Sequence, residues 1–123
     1  QTRDFLYIDD LIDGVLACLE MPRGGDVICL GSGKPATVHE LAIAIQGLYF
    51  EWCGNELVID FQPARAGEIE RNYTDPTKAR DILNFQANTH LDEGLRKTWE
   101  WFTKNMDTLG LQGTSTSDDA CTS

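Results

Sequence analysis

The part of the chain that says most about the fold runs from residue 60 to residue 83 and reads DFQPARAGEIERNYTDPTKARDIL. Pro63 and Gly67 bracket a turn that displays Arg65 and Glu68. The planar guanidinium of an arginine suits a phosphate group, and a carboxylate can accept hydrogen bonds from paired sugar hydroxyls. The two side chains would suit a site for a phosphorylated sugar. Composition alone favours the alternative, a surface loop that carries a solvated charge pair.

A short helix is predicted directly after this turn. Asp75 is expected to be its N-cap residue and Pro76 its first residue, because the proline ring is compatible with the first helical position. The helix is predicted to end near Leu83. Asn84 tolerates left-handed backbone, and Phe85 supplies an aromatic side chain that is expected to plug the core.

Short strands are predicted in three other places, at residues 3–8, 27–30 and 57–61. Residues 27–30 form a continuous apolar run, which is typical of a strand buried on both faces. The loop of residues 31–36 formally fits a dinucleotide fingerprint. The next helix is predicted to start only after this loop, later than the fingerprint needs, so this interpretation is rejected.

The spacing of apolar residues predicts three further helices. The first is capped by Asp9 or Asp10 and ends near residue 20. The second covers residues 38–52, follows a capping box made by Thr37 and Glu40, and is expected to end at Gly54 and Asn55. The last long helix is predicted to be capped by Thr89 and to carry a core-facing apolar stripe.

Four motifs occur in the order and with the spacing of one enzyme family. They are residues 1–10, residues 30–35, residues 65–68 with 73–79, and residues 91–102. In this pattern the chain resembles the C-terminal portion of the extended short-chain dehydrogenase/reductases, the NAD-dependent epimerases and dehydratases of nucleotide sugars, and UDP-glucose 4-epimerase-like members in particular. The resemblance covers residue 1 to about residue 104.

The resemblance implies an α/β fold that forms the C-terminal, substrate-binding part of an extended Rossmann-type epimerase, with about four helices and a few short strands. Residues 1–108 are expected to be the nucleotide-sugar-binding part, and residues 109–123 a flexible polar tail. The expected ligand is a UDP-sugar or a related nucleotide sugar.

Four site residues follow from the resemblance. Arg3 and Arg65 are expected to clamp the diphosphate, Glu68 to hold the ribose hydroxyls, and Asn72 to line the nucleotide pocket. Without the resemblance, Arg3 is interpreted as a strand-edge residue paired with its neighbour. Arg71 is expected only to balance the acidic residues near it.

The resemblance also implies NAD as the cofactor of the full-length family, together with a tyrosine activated by a lysine four positions later. No tyrosine in this chain has a lysine at that spacing. We therefore expect this chain alone to bind no NAD and to be inactive, without catalytic residues or metal ligands of its own. Two hypotheses stay open: one portion of an enzyme, or a free-standing module that binds a ligand or a partner protein. The chain does not begin with Met, which is compatible with the first.

Composition excludes several classes of partner. The chain has 123 residues with 10 basic and 20 acidic side chains, a net charge of −10, which argues against nucleic acid and anionic membranes. Cys18, Cys29 and Cys53 are expected to be reduced core residues, and a cytoplasmic location is expected. Apolar surface between residues 11 and 30 predicts a homodimer, unless a missing N-terminal NAD-binding domain covers it.

Overall fold

The computed structural model describes residues 1–22 and 24–110, which form four helices and a small sheet. In chain order the elements are β1 (Thr2–Asp4), α1 (Ile8–Leu19), β2 (Pro35–Thr37), α2 (Val38–Cys53), β3 (Arg71–Asn72), α3 (Thr77–Leu83) and α4 (Leu91–Lys104).

The sheet has three very short strands in the order β2-β1-β3. β1 pairs with β2 in the antiparallel sense, with Arg3 opposite Ala36. It pairs with β3 in the parallel sense, with Arg3 opposite Asn72. The first strand of the chain is therefore the central one, and it joins the loop before α2 to the loop that contains Arg65.

The carboxylate of Asp4, at the end of β1, holds two other loops in place. It accepts hydrogen bonds from the backbone amides of Ser32 (3.0 Å), Gly33 (3.1 Å) and Thr74 (3.2 Å), and from the Ser32 hydroxyl at 2.5 Å. Gly31 has no room for a side chain here, because a Cβ atom would lie 2.4 Å from the Cβ of Thr74. Asp4 thus replaces the backbone ladder that such short strands cannot supply.

Helices α2 and α4 pack against each other through aromatic rings and one ion pair. The rings of Tyr49, Trp52 and Trp99 lie with centroids 6.0–6.5 Å apart in tilted or edge-to-face arrangements, which aromatic pairs favour. Arg96 of α4 donates to Glu51 of α2 at 2.9 Å. The ion pair is exposed, so the rings contribute more to this packing than the charges.

Helices α1 and α3 pack around Phe85, which is 6% exposed. A Cβ atom added at Gly14 of α1 would come within 3.1 Å of the Phe85 ring and 2.8 Å of Leu30. Ala79 of α3 is completely buried. Small residues on the helices therefore make room for the aromatic side chain, as expected for a core plug.

Helix α1 leaves much of its apolar surface uncovered within the described part of the chain. Large apolar side chains on it are about half exposed or more: Ile8, Ile12, Val15, Leu16 and Leu19. Leu19 reaches 77% exposed, and Val27 in the following loop 81%. A patch of this kind marks a surface that contacts something else.

Several local predictions are confirmed. Thr37 and Glu40 form a complete capping box at the start of α2, and Gly54 ends that helix in the left-handed conformation at φ 73°. Asn84 has φ 52°, and Phe85 is buried. The capping box and the two left-handed residues depend on residues close together in sequence, whereas Phe85 is buried by contacts with distant residues such as those near Gly14.

Two of the three predicted strands are wrong, and the other is shorter than expected. Residues 27–30 and 57–61 form no strand, and Val27 and Val58 are 81% and 86% exposed. Residues 3–8 contribute a strand only as far as Asp4. In the part of the chain that the structure describes, β2 and β3 pair with the two edges of β1, and neither apolar run pairs with the outer edge of β2 or β3.

The predicted caps of three helices need correction. Helix α1 begins after Tyr7 without a side-chain cap, and Asp10 is buried instead, accepting a hydrogen bond from the Thr89 amide at 3.0 Å. Thr89 therefore does not cap α4, whose N-cap is His90. Helix α3 begins one residue later than predicted, although the Asp75 carboxylate still accepts from the Thr77 amide.

The prediction that cysteines are core residues is wrong for two of them. Cys18 and Cys29 are exposed, and Cys53 is partly buried. Cys121 and residues 111–123 of the predicted tail lie outside the described residues.

Replacing Asp4 by Asn is expected to destabilise the fold by about 1–3 kcal/mol. The amide would turn a donor toward backbone N–H groups and leave them without an ionised acceptor. Urea unfolding measures the effect, with Asp13→Asn on the exposed surface of α1 as the control. If both variants unfold at the same urea concentration, Asp4 does not hold the loops together.

The same substitution should show a definite pH dependence. Burial acts to raise the pKa of the Asp4 carboxyl, but hydrogen bonds from Ser32, Gly33 and Thr74 together outweigh it, and the pKa lies below its ordinary value of 3.8. A lowered folded-state pKa stabilises the protein above the unfolded-state pKa, and this stabilisation is lost as the pH falls through the folded-state value. The difference in unfolding free energy between wild type and Asp4→Asn should therefore shrink below about pH 4.

Candidate functional site

A polar cleft of about 430 Å³ opens where β1 meets the loop that precedes β3. The cleft is lined by Gln1, Thr2, Ala64, Arg65, Gly67, Glu68, Glu70 and Arg71. Only part of the cleft lining comes from the turn that carries Arg65 and Glu68. The start of β1, more than 60 residues away in sequence, supplies the opposite side.

The turn that carries Arg65 and Glu68 is closed by its own backbone. The amide of Glu68 donates to the carbonyl of Arg65 at 3.3 Å, and the amide of Arg65 donates to the Glu68 carboxylate at 3.3 Å. Gly67 has φ 85°, a conformation that residues with a side chain rarely adopt. These features place the two side chains next to each other in the same cleft.

Strand β1 ties down the end of the loop. The Thr2 amide donates to the carbonyl of Glu70 at 2.8 Å, and the Arg3 guanidinium donates to the carbonyl of Ile69 at 2.8 Å. The same nitrogen of Arg3 also donates to the carbonyl of Thr2. Arg3 therefore contacts backbone carbonyls of the loop, and its sequence neighbour Asp4 bonds to backbone amides instead of pairing with it.

The four sequence-predicted site residues fall into two pairs. Arg65 and Glu68 line the cleft together, whereas Arg3 and Asn72 are not among its lining residues. Arg3 and Asn72 are partners in the parallel register of β1 and β3. Because successive side chains of a strand point to opposite faces, they project from the face opposite to Thr2 and Arg71.

Formal charges in the cleft balance. Arg65 and Arg71 face Glu68 and Glu70, and all four side chains are exposed. In a chain with a net charge of −10, an anion would be held by local contact with a guanidinium, because the overall field repels it. The cleft offers a cation for a phosphate beside carboxylates for hydroxyl groups.

The loop of residues 31–36 does not fit an NAD pyrophosphate. Its two amides at Ser32 and Gly33 donate to Asp4, and these are the kind of groups that a dinucleotide would need. Pro76 covers Gly33 so closely that a Cβ atom there would lie 2.6 Å from the Pro76 Cγ atom. Within the described ranges, no three or more His, Cys, Asp or Glu side chains form a group suited to a metal ion.

Sequence reasoning missed two features that only the fold creates. Gln1 lines the cleft and donates from its side-chain amide to the Glu68 carboxylate. Lys97 lies over the ring of Tyr7, with its ammonium 5.5 Å from the ring centroid and 2.8 Å from Glu93. Neither pair has a local sequence signal, because Gln1 meets Glu68 67 positions later and Tyr7 meets Lys97 90 positions later.

A second cavity of about 330 Å³ lies beside the β1–α1 connection and α4. Its lining is mostly apolar and includes Phe5, Tyr7, Leu91 and Leu95, with no lysine or arginine. It therefore offers no counter-charge for a phosphorylated ligand, and the polar cleft is the better candidate site.

Comparison with known proteins adds an independent line of evidence. The family described as GDP-mannose 4,6 dehydratase matches residues 1–98. UDP-arabinose 4-epimerase 1 from Arabidopsis thaliana is 34% identical over 118 residues, which make up 94% of this chain and 27% of that protein.

Two solved structures are similar in fold as well as in sequence. The enzyme WbmF of Bordetella bronchiseptica, in complex with NAD⁺ and UDP, has a TM-score of 0.71 and 35% identity, covering 90% of this chain and 31% of WbmF. UDP-glucuronic acid 4-epimerase from Bacillus cereus, in complex with UDP-glucuronic acid and NAD, has a TM-score of 0.72 and 28% identity, covering 85% and 32% of the two chains.

The chain thus spans between 27% and 32% of the length of these proteins. Its four helices and small sheet match part of a Rossmann-type epimerase fold, so the predicted fold class is confirmed. None of the helices in residues 1–22 and 24–110 combines the length and apolar character that crossing a lipid bilayer requires.

Proposed function

The chain belongs to the GDP-mannose 4,6 dehydratase family of NAD-dependent nucleotide-sugar epimerases and dehydratases, and from this premise we propose that it is the nucleotide-sugar-binding portion of such an enzyme. The observation that carries the proposal is the placement of Arg65 and Glu68 in one cleft by a closed turn. A UDP-sugar is the favoured ligand, since relatives are named as UDP-sugar epimerases.

In this proposal Arg65 binds the diphosphate and Glu68 accepts hydrogen bonds from the ribose hydroxyls. The Arg65 guanidinium forms no ion pair with Glu68 in the described part of the chain; the contact between the two residues runs through the Arg65 amide. A charged donor and a charged acceptor are therefore both available side by side. Arg3 and Asn72 do not line the cleft, and in this proposal they support it as members of strands β1 and β3, which hold the loop.

In this proposal the catalytic residues and the NAD site belong to another part of the complete enzyme. The loop that could be mistaken for an NAD fingerprint is occupied by Asp4, and no tyrosine has a lysine four positions later. Tyr7 does meet Lys97, but the ammonium lies over the ring and bonds to Glu93, an arrangement that does not activate the phenol oxygen. NAD is thus proposed as the cofactor of the complete enzyme and not as a ligand of this chain.

Residues 1–108 form the binding part in this proposal, and a cytoplasmic location is proposed with it. The apolar face of α1 requires cover, either by a second copy of the chain in a homodimer or by an N-terminal NAD-binding domain. The alternative function is a free-standing module that binds a ligand or a protein partner without catalysis, which the same uncovered face would serve.

The chain alone is expected to show no epimerase, dehydratase or reductase turnover. Incubation with NAD and UDP-glucose or UDP-galactose, followed by chromatography of the nucleotide sugars, should return only the starting material. Turnover that survives replacement of Tyr7, Tyr49 and Tyr73 by Phe would contradict the proposal, because it would show that this chain contains catalytic residues of its own.

Self-association through α1 is expected to appear in sedimentation experiments as the concentration rises. Leu19→Glu places a charge at a position that is 77% exposed, and it should shift the chain toward the monomer. Val58→Glu, at a position 86% exposed in another part of the chain, is the matched control and should not. If the chain is a monomer at every concentration, the homodimer is wrong. Cover of the apolar face of α1 by another domain is then the remaining alternative.

Arg65→Ala is expected to weaken UDP binding by roughly ten- to a hundredfold, the effect of losing a charge-assisted contact of about 1.5–3 kcal/mol. Arg71→Ala should cost less, because Arg71 lies next to Glu70 on a strand, whereas Arg65 sits in a closed turn. Arg65→Lys should recover only part of the loss, since an ammonium makes no bidentate contact. NMR titration with UDP measures all three variants, and equal losses at both arginines would contradict this placement of the diphosphate.

A further inference from the structure

Gln1, the residue directly before β1, contacts the acidic side of the cleft. Its side-chain amide donates to Oε2 of Glu68, and the same oxygen accepts the Arg65 amide at 3.3 Å. Neither of these bonds reaches Oε1. The Glu68 carboxylate is therefore held on one side by two neutral donors, and its second oxygen has room for further hydrogen bonds.

The backbone around Gln1 is fixed by residues next to both neighbouring strands, Val38 directly after β2 and Glu70 directly before β3. Its carbonyl accepts the amide of Val38, the first residue of α2, at 3.0 Å. The next amide, that of Thr2, donates to Glu70 at 2.8 Å. The point from which the Gln1 side chain extends is thus set by the sheet, and its reach to Glu68 is part of the folded structure.

We propose that Gln1 is the positioning residue for Glu68 in the nucleotide site, an inference that rests on the proposed function. A glutamate has several rotatable bonds, and ordering it costs free energy when a ligand binds. The Gln1 amide fixes the carboxylate beforehand and directs Oε1 toward the vicinal hydroxyls of a ribose. Because the amide is neutral, it leaves the full negative charge of Glu68 to strengthen those hydrogen bonds.

This role predicts an effect that depends on the ribose hydroxyls. Gln1→Ala should weaken binding of UDP about three- to tenfold, the size expected for one hydrogen bond, and change binding of 2′,3′-dideoxy-UDP less than about twofold. Gln1→Glu should weaken UDP binding at least as much as Gln1→Ala does, because a second carboxylate would face Glu68. Gln62→Ala is the matched control: Gln62 also bonds to a carboxylate, that of Asp60, but does not line the cleft, and both affinities should stay unchanged.

Calorimetric titration of the wild type and these variants with the two nucleotides measures both affinities and tests the proposed role of Gln1. Equal losses for UDP and dideoxy-UDP would assign Gln1 a general structural role and overturn the proposal, as would no loss at all. If the wild type binds neither nucleotide, the proposed function fails and the ligand role of Gln1 fails with it.

The contact itself is tested without any ligand. In ¹⁵N NMR spectra, the Gln1 side-chain amide signals should shift on Glu68→Gln and stay in place on Glu70→Gln. If the Gln1 signals do not shift on Glu68→Gln, while UDP binding still depends on Arg65, the inference about Gln1 is wrong and the proposed function stands.

Discussion

The carboxylate of Asp4 is the contact on which the rest of this structure depends. It gathers three backbone amides and a hydroxyl from two loops that are about 40 residues apart, at the end of a strand of only three residues. Sheets with so few ladder hydrogen bonds are marginal by themselves. An ionised acceptor with several backbone donors supplies the missing connection, because such charge-assisted bonds are stronger than neutral ones.

The position of the candidate site follows from the same contact. Asp4 sets the end of β1, and the parallel register with β3 then brings the start of the chain against the loop of residues 64–70. A closed turn and a glycine at positive φ display Arg65 and Glu68, while Gln1, directly before β1, bonds to Glu68. The cleft is thus assembled from a local turn and a distant strand, and neither part makes it alone.

The loop of residues 31–36 shows how an anion-binding loop can serve the fold itself. Successive backbone amides next to glycine form a concave site that attracts a negative group. In this chain the negative group is the internal carboxylate of Asp4, which occupies the two amides that a phosphate would use. A glycine-rich motif therefore indicates an anion, and the structure decides whether the anion is a ligand or a side chain.

Local chemistry alone determined the helix boundaries that were predicted correctly. The capping box of Thr37 and the left-handed Gly54 and Asn84 depend on groups within a few residues of one another, so the sequence contains all their partners. The family resemblance and the pairing of Arg65 with Glu68 in a turn were also readable, since their motifs are contiguous. The apolar runs at residues 27–30 and 57–61 were wrongly predicted as strands, because a strand also needs a partner to pair with, and in the described residues the strand pairing involves other segments.

Tertiary structure decided every feature that joins distant residues. The Asp10 carboxylate accepts a hydrogen bond from the Thr89 amide, 79 positions away, and neither residue caps a helix. Gln1 likewise bonds to Glu68, 67 positions away. The exposure of Cys18 likewise depends on which helix face finds cover. Side-chain bonds over such separations exist only in the folded chain, because packing and sheet register bring their partners together, and a sheet register depends on which strands pair.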